Sequence, residues 1–410
     1  MRKPLSPLQA FAEDARLAAE RSVELGNDLL LWLSVAQSAD QCCIARGTSR
    51  GRAVKQAMLL LAPFASLRPT MIHDARPAPD SEVARLAERF RAAAEDMERA
   101  GCFELAFTTV SAVCRFTASQ PVDGGDYSVA ALAMLHLGRV ARQMNDIEVA
   151  EDCYQSMLAI SVRERDAPLE ARGHIGLALL HDMRGNTPLS KEEYLMALRL
   201  ATPFGGAYRS ALQGLLTVAL TQEKLADALL YGWQLHDAAA DHLESRVGAL
   251  GDLAGVALRA GFFDAALSGY LHARELCPQP GVRSVSIAGA MRAASHLGES
   301  ERVHNLDAEL LADLAAANLP HNSALCLLYA AESLHRVGFE DTAEIRRTAC
   351  HEIASRFGYH EFTFKADALL TAWSSRVPAV DIAPRTAEEA SEVGDPAFDC
   401  GIARLRTLSV

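Results

Sequence analysis

Along this sequence the apolar and polar positions alternate as amphipathic helical stretches that meet in pairs across short turns. The segment Ala100-Gly101-Cys102-Phe103-Glu104-Leu105-Ala106 recurs as Met144-Asn145-Asp146-Ile147-Glu148-Val149-Ala150. It recurs again as Ala260-Gly261-Phe262-Phe263-Asp264-Ala265-Ala266 and as Val337-Gly338-Phe339-Glu340-Asp341-Thr342-Ala343. Weaker copies centre on Gly185, Glu223 and Gly298. The turns therefore stand at 101, 145, 185, 223, 261, 298 and 338, at intervals of 44, 40, 38, 38, 37 and 40 residues. A period of this size marks a repeat architecture, in which each helix pair buries its apolar face on the next.

Each turn has the same flanks. Seven positions before it stands a small residue: Ala94, Gly138, Ala178, Ala254 or Ala331. Five positions after it comes another, and four later often an aromatic, as in Ala150 and Tyr154 or Ala266 and Tyr270; Tyr194 fits the same slot after Gly185. Antiparallel helices approach closely only where the crossing point carries Gly or Ala, and the aromatic fills the gap where the next pair stacks. A glycine at the turn supplies the left-handed conformation that stops the first helix. The pattern predicts an all-α fold.

On these residues the chain resembles the tetratricopeptide repeat (TPR) family. The helix-A signature is best in Met134-Leu135-His136-Leu137-Gly138-Arg139-Val140-Ala141, and the helix-B signature in Ala266, Tyr270, Ala273 and Pro278. The resemblance covers about residues 81–360, near seven repeats. It departs in period, since the family repeat is about 34 residues. Longer helices of this sort are similar to the helical sensor and regulator domains of bacterial signalling proteins. The resemblance implies a right-handed superhelical solenoid of antiparallel helix pairs, with helix A of each repeat lining a concave groove.

Residues 1–62 read as about three helices, Pro7–Leu25, Asp28–Arg46 and Arg52–Leu61, forming an N-terminal cap or divergent repeats. Pro63, Pro69, Pro77 and Pro79 make 63–80 a linker, because proline removes a helix donor and restrains its predecessor. Residues 81–376 form the solenoid, closed by a capping helix over His360–Ser375, and the loop Ser119–Asp126 accounts for the longest interval. From 377 to 410, Pro378, Pro384 and an acidic run predict a flexible tail, whose weakly amphipathic end, Phe398–Leu408, has docking on a partner or on the groove as its alternative.

Composition narrows the function. The formal charge is −12, against the basic face expected of a nucleic-acid protein. The basic stretch Arg46, Arg50, Arg52 and Lys55 reads as a solvated turn ahead of a phosphate-binding loop. No stretch reaches the roughly 18 apolar residues of a membrane span, and the first residues lack an apolar core of the signal-peptide kind because Glu13, Asp14 and Arg16 interrupt it. Nine cysteines without C-x-x-C spacing read as reduced core thiols of a cytoplasmic protein.

The chain carries few motifs of known chemistry. There is no G-x-S-x-G elbow, no phosphate-binding P-loop, no dinucleotide fingerprint and no H-E-x-x-H. His174 and His181 are two turns apart and read as structural. The expectation is a non-enzymatic scaffold or adaptor, without cofactor or metal, that holds a protein segment or peptide. The alternative is a sensor whose superhelix closes on a small effector. No nucleic acid or membrane partner is expected, and self-association is left open.

The family's groove-facing positions carry His136, Arg139, Gln143, Arg172, Gln213, Asp252, Arg259, Arg292, Tyr329 and His335. Arg139, Arg172, Arg259 and Arg292 suit an acidic peptide or a terminal carboxylate, although the Lys/Asn clamp of some family members is absent. Small residues recur beside them at Gly176, Gly214, Gly251, Gly255 and Gly289. An internal helical glycine costs about 1 kcal/mol relative to alanine, so these mark close approach either by a ligand backbone or by a neighbouring helix.

Overall fold

A computed structural model describes Arg91, Ala94, Glu95 and Glu98, and residues 103–118, 127–317, 319–375 and 396–408. The readings for 1–62, 63–80, the Gly101 turn and the loop 119–126 lie outside these residues. All regular structure among the described residues is helical, in fifteen helices. The chain divides into two compact units, Met1–Thr202 and Pro203–Val410.

The first unit holds α1 (Phe103–Ala118), α2 (Tyr127–Gln143), α3 (Ile147–Glu164), α4 (Ala167–Met183) and α5 (Thr187–Leu200). The second holds α6 (Gly206–Thr221), α7 (Leu225–Ala238), α8 (Leu243–Arg259), α9 (Phe263–Leu276) and α10 (Pro280–His296). It continues with α11 (Ser300–Ala316), α12 (Pro320–Arg336), α13 (Glu340–Phe357), α14 (His360–Ser375) and α15 (Pro396–Arg406). Within each unit consecutive helices up to α14 pack together, and so do the alternate helices α2 and α4, α6 and α8, α8 and α10, α10 and α12, and α12 and α14. The even-numbered helices are thus the A members of antiparallel pairs and form one layer in each unit, with the B members behind them.

The pairs turn in one way. The residues at six of the expected turn positions, Asn145, Gly185, Glu223, Gly261, Gly298 and Gly338, all have positive φ, between 57° and 89°. In each, the next N–H reaches back five residues, as in Asp146 to Ala141 at 2.9 Å and Phe262 to Ala257 at 2.9 Å. This paired bonding satisfies carbonyls that the helix end leaves bare. The Asp146 and Asn186 side chains then accept from Val149 and Leu189 and start the following helices.

Packing between pairs rests on the tyrosines. Tyr154 of α3 is 1% exposed. A β-carbon on Gly138 of α2 would stand 2.7 Å from its Cε1, and one on Gly176 of α4 would stand 2.5 Å from its Cδ1. The ring therefore lies between a glycine of its own pair and one of the next. Tyr270 of α9 repeats the arrangement with Gly255 of α8 and Gly289 of α10. Tyr194 is also buried, and its hydroxyl donates to Asp182 at 3.0 Å.

The expectation of a flexible tail gives way for residues 396–408, which form α15 and the turn after it. Phe398, Ile402 and Leu405 are buried, so the weak amphipathic pattern is a docking face. Its principal contacts are the B helices α7 and α9, with fewer to the A helix α8. Residues 377–395 lie outside the described ones.

None of the described helices is long and apolar enough to cross a membrane. Cys114, Cys153, Cys277, Cys326, Cys350 and Cys400 form no disulfide among the described residues. Burial pushes the thiols of Cys153 and Cys350 up to about 11 and that of Cys326 to about 12, which makes them unreactive at neutral pH.

Candidate binding surfaces

In the first unit, the last turns of α2 present His136, Arg139 and Gln143 to Glu95 and Glu98. Arg139 Nη2 donates to Glu98 Oε2 at 2.7 Å, and His136 Nε2 lies 3.2 Å from the same oxygen. Burial raises the Glu98 carboxyl, but His136, Arg139 and Gln143 together outweigh it and hold the group below its ordinary value. A shallow cleft of about 360 Å³ opens beside them, lined by Glu95, Glu98, Phe103, Arg139 and Gln143. Arg139 is therefore engaged within the protein. Arg172 on α4 is exposed, and no ion pair holds it among the described residues.

The second unit gathers more of the expected residues. Gln213 of α6 donates to Asp252 of α8 at 2.7 Å. Burial lifts the half-buried Asp252 carboxyl above the usual carboxylate range, against the pull of that hydrogen bond. Arg292 of α10 lies 4.3 Å over the ring of Tyr329 of α12, with its Nε 3.7 Å from Glu332 Oε2. Glu332 is likewise raised by burial, which outweighs Arg292, Arg336 and Lys365. His335 is set apart, stacked on Trp373 of α14 with centroids 4.3 Å apart. Arg259 is exposed at the end of α8.

Tyr270 joins these residues. Its ring is 9% exposed, sealed by Gly289, and its hydroxyl reaches the A layer beside Gly255 at 3.3 Å from where a β-carbon would stand. Burial pushes the phenol up, and the charges that act on it are those of Arg292, Tyr329, Asp252 and Arg259. Among the described residues this hydroxyl has no hydrogen-bond partner. It is not among the fully buried unpaired atoms, so it opens to solvent at the A layer and is free to meet a ligand.

The glycines divide into two groups. A β-carbon on Gly176 or Gly289 would strike a tyrosine ring, so these serve helix packing. On α8, nothing lies within 4 Å of a β-carbon built on Gly248 or Gly251, and only the Tyr270 hydroxyl lies near Gly255. Spaced by three and four residues, they bare one stripe of helix backbone beside Asp252. The sequence alone made Tyr270 a gap filler. Nothing in it revealed that the ring spans the pair and delivers its hydroxyl to the opposite side. Glu332 was legible as a neighbour of Tyr329 and His335 on one face of α12, three positions from each.

No protein-family profile matches the chain, and no curated protein matches it. Among solved structures, a signal-transduction ATPase with numerous domains from Pyrococcus horikoshii, described as carrying a tetratricopeptide repeat sensor, matches at 12% identity. The match covers 99% of this chain and 70% of that one, with a TM-score of 0.50. This chain has a helical-repeat fold. Aspartyl phosphate phosphatase F from Bacillus subtilis matches at 12% identity over 94% of this chain and 99% of its own, with a TM-score of 0.43. BtubC from P. vanneervenii matches at 14% over 60% and 90%, also with a TM-score of 0.43. At 12% identity the first of these likenesses carries the repeat fold alone. Among the described residues, no group of three His, Cys, Asp or Glu side chains is placed to hold a metal ion.

Proposed function

We propose that this protein is a non-enzymatic binding module of the tetratricopeptide type that holds a segment of another protein against the A-helix layer of its second unit. The observation that carries this reading is the unpartnered Tyr270 hydroxyl, set among Asp252, Arg259, Arg292 and Tyr329 beside the bare backbone of Gly248, Gly251 and Gly255. An extended peptide offers what these groups lack. Its carbonyls accept from the Tyr270 hydroxyl, and its backbone approaches α8 where no side chain intervenes. A carboxylate on the ligand pairs with Arg259, whose guanidinium no described acid holds. Such charge-assisted bonds are worth about 1.5–3 kcal/mol each.

Selection of random peptides on the immobilised full chain tests the reading. Selected peptides should carry a carboxylate and bind in a saturable, salt-sensitive way. Arg259→Ala should weaken them about tenfold or more, and Tyr270→Phe should weaken them while leaving the fold intact. Peptides indifferent to both substitutions would place binding elsewhere and end this assignment. A small effector in the same place is the second reading, prompted by the sensor description of the archaeal neighbour. It would be preferred if small carboxylic acids raise the melting temperature and no peptide is selected.

A further inference from the structure

The groove between α7 and α9 is shaped for one helix. Trp233 Nε1 donates to the Gly401 carbonyl at 3.1 Å, and Ser268 Oγ donates to the Leu408 carbonyl at 3.0 Å. Arg404 grips Asp237 at 2.5 and 3.0 Å and lies 3.9 Å over the Trp233 ring. Arg406 grips Asp264 at 2.6 and 3.2 Å. Phe398 meets Phe262 with centroids 5.9 Å apart, and Leu405 lies against Gly269.

One repeat further on, the equivalent cleft between α9 and α11 shows what makes the first one special. Counted from the turns at 223, 261 and 298, Leu271 stands where Trp233 does, Glu299 where Phe262 does, and Leu306 where Gly269 does. Leu271, Glu299 and Leu306 line a cleft of about 640 Å³ that holds no helix among the described residues. The indole donor, the aromatic floor and the gap for a leucine belong to one groove alone of the two. The repeat does not need them for its own stacking.

We propose that the α7/α9 groove is a receptor for an amphipathic helix of a partner protein, and that α15 is its intramolecular occupant. The partner helix has an aromatic residue, a small residue three positions on, aliphatic residues four and seven on, and cations at six and eight, as Phe398, Gly401, Ile402, Leu405, Arg404 and Arg406 are spaced. Its cations meet the acidic rim of Asp237 and Asp264.

Three features of α15 fit an occupant that exchanges. At 11 residues it is too short to be helical alone in water, so its folding depends on docking. Its principal contacts are confined to α7, α8 and α9, so release bares Trp233 and Phe262 but touches neither the packing of α10 on α11 nor that of α12 on α13. The groove also reads it through two backbone carbonyls and two end charges, which a helix of another sequence can supply. Residues 376–395 join it to α14 in sequence, and covalent linkage favours it over a helix free in solution. An identical helix from a second copy cannot compete with that at ordinary concentrations; a tighter partner helix can.

Fluorescence anisotropy with a labelled peptide of residues 396–408 tests the proposal on the full chain. The variant Ile402→Asp/Leu405→Asp, with its own helix undocked, should bind the peptide at least tenfold more tightly than the parent does. Adding Asp264→Arg should weaken that binding at least tenfold, and a peptide with Arg406→Asp should recover it. Should the double substitution fail to fold, Arg404→Glu/Arg406→Glu undocks the helix from the rim without charging the core. Equal affinity in parent and variant, or no saturable binding by a variant whose circular dichroism matches the parent, would show that α15 is a permanent part of the fold and overturn the proposal. A parent that is dimeric by light scattering, and becomes monomeric with Ile402→Asp, would give the groove to a second copy and overturn the partner assignment.

Discussion

Gly251→Ala and Gly289→Ala make the same chemical change on the A helices of two neighbouring pairs, and they should move stability in opposite directions. At either site alanine gains about 1 kcal/mol of helix propensity over glycine. At Gly251 the added methyl meets nothing within 4 Å, so the gain is kept. At Gly289 the methyl would lie 2.5 Å from Cζ of Tyr270, whose ring is buried in the core of the unit. Neither the ring nor the α10 backbone can yield freely, and overpacking of this kind costs about 1–3 kcal/mol. With the upper end of that range, Gly289→Ala is destabilised by about 2 kcal/mol net, and the two variants differ by about 3 kcal/mol. For a unit of this size each kcal/mol shifts the midpoint by about 2–4 °C. Thermal melts followed by circular dichroism should therefore show Gly251→Ala a few degrees above the parent and Gly289→Ala some 4–8 °C below it. Hydrogen exchange in α9 and α10 should place the loss where the ring sits. A Gly289→Ala protein as stable as its parent would refute the sealed ring. The Gly251 variant carries a second consequence: a more stable protein that binds its peptide less well would separate folding from function at one residue.

Glu223 is the exposed non-glycine with φ 57° in the α6/α7 turn, so Glu223→Gly should stabilise the second unit by about 1 kcal/mol in urea titration, and no gain would mean that the turn relaxes. Glu332 is raised by burial, so the folded state holds its proton over a window above the ordinary carboxylate range. Folding stability from this group is present below that window and lost as pH rises through it. Relative to Glu332→Gln, the parent should lose melting temperature between pH 4 and pH 7.5, and a relative gain would mean that Arg292, Arg336 and Lys365 dominate. Asp237 has the opposite sign: the Arg404 hydrogen bond lowers its carboxyl, so the docking of α15 is supported above the ordinary carboxylate value and weakens as pH falls through the lowered one. Protease nicking between 376 and 395 at pH 3 and at pH 7 should reveal whether α15 stays attached, and equal retention would argue that Phe398, Ile402 and Leu405 alone suffice.

The turns were legible because they are local. A left-handed residue closing one helix and a small residue seven positions earlier are fixed by backbone geometry, and the sequence writes both within ten residues. Helix-A positions followed from the same register, which is why Asp252, Arg292 and Tyr329 could be named together. Their partners were not legible. Arg139 is occupied by Glu98, 41 residues away, and nothing local to either predicts the pair. Likewise the pattern of Phe398, Ile402 and Leu405 announces an apolar face but not its address: Trp233 meets Gly401 across 168 residues of sequence. Periodicity specifies which side of a helix is buried; what buries it is decided by shape over distances that no single period spans.

The shared tyrosines bear on how such a chain lengthens by duplication. Tyr154 and Tyr270 each belong to two pairs at once, taking one glycine from their own and one from the pair that follows. A copied pair spliced in after α9 must bring a glycine to the place of Gly289, or the ring it inherits as neighbour has nowhere to lie. Selection on new copies therefore falls on the joints rather than on the bodies of the helices. The length of a repeat does not enter this condition, so a joint built on a tyrosine tolerates uneven intervals while its two glycines remain.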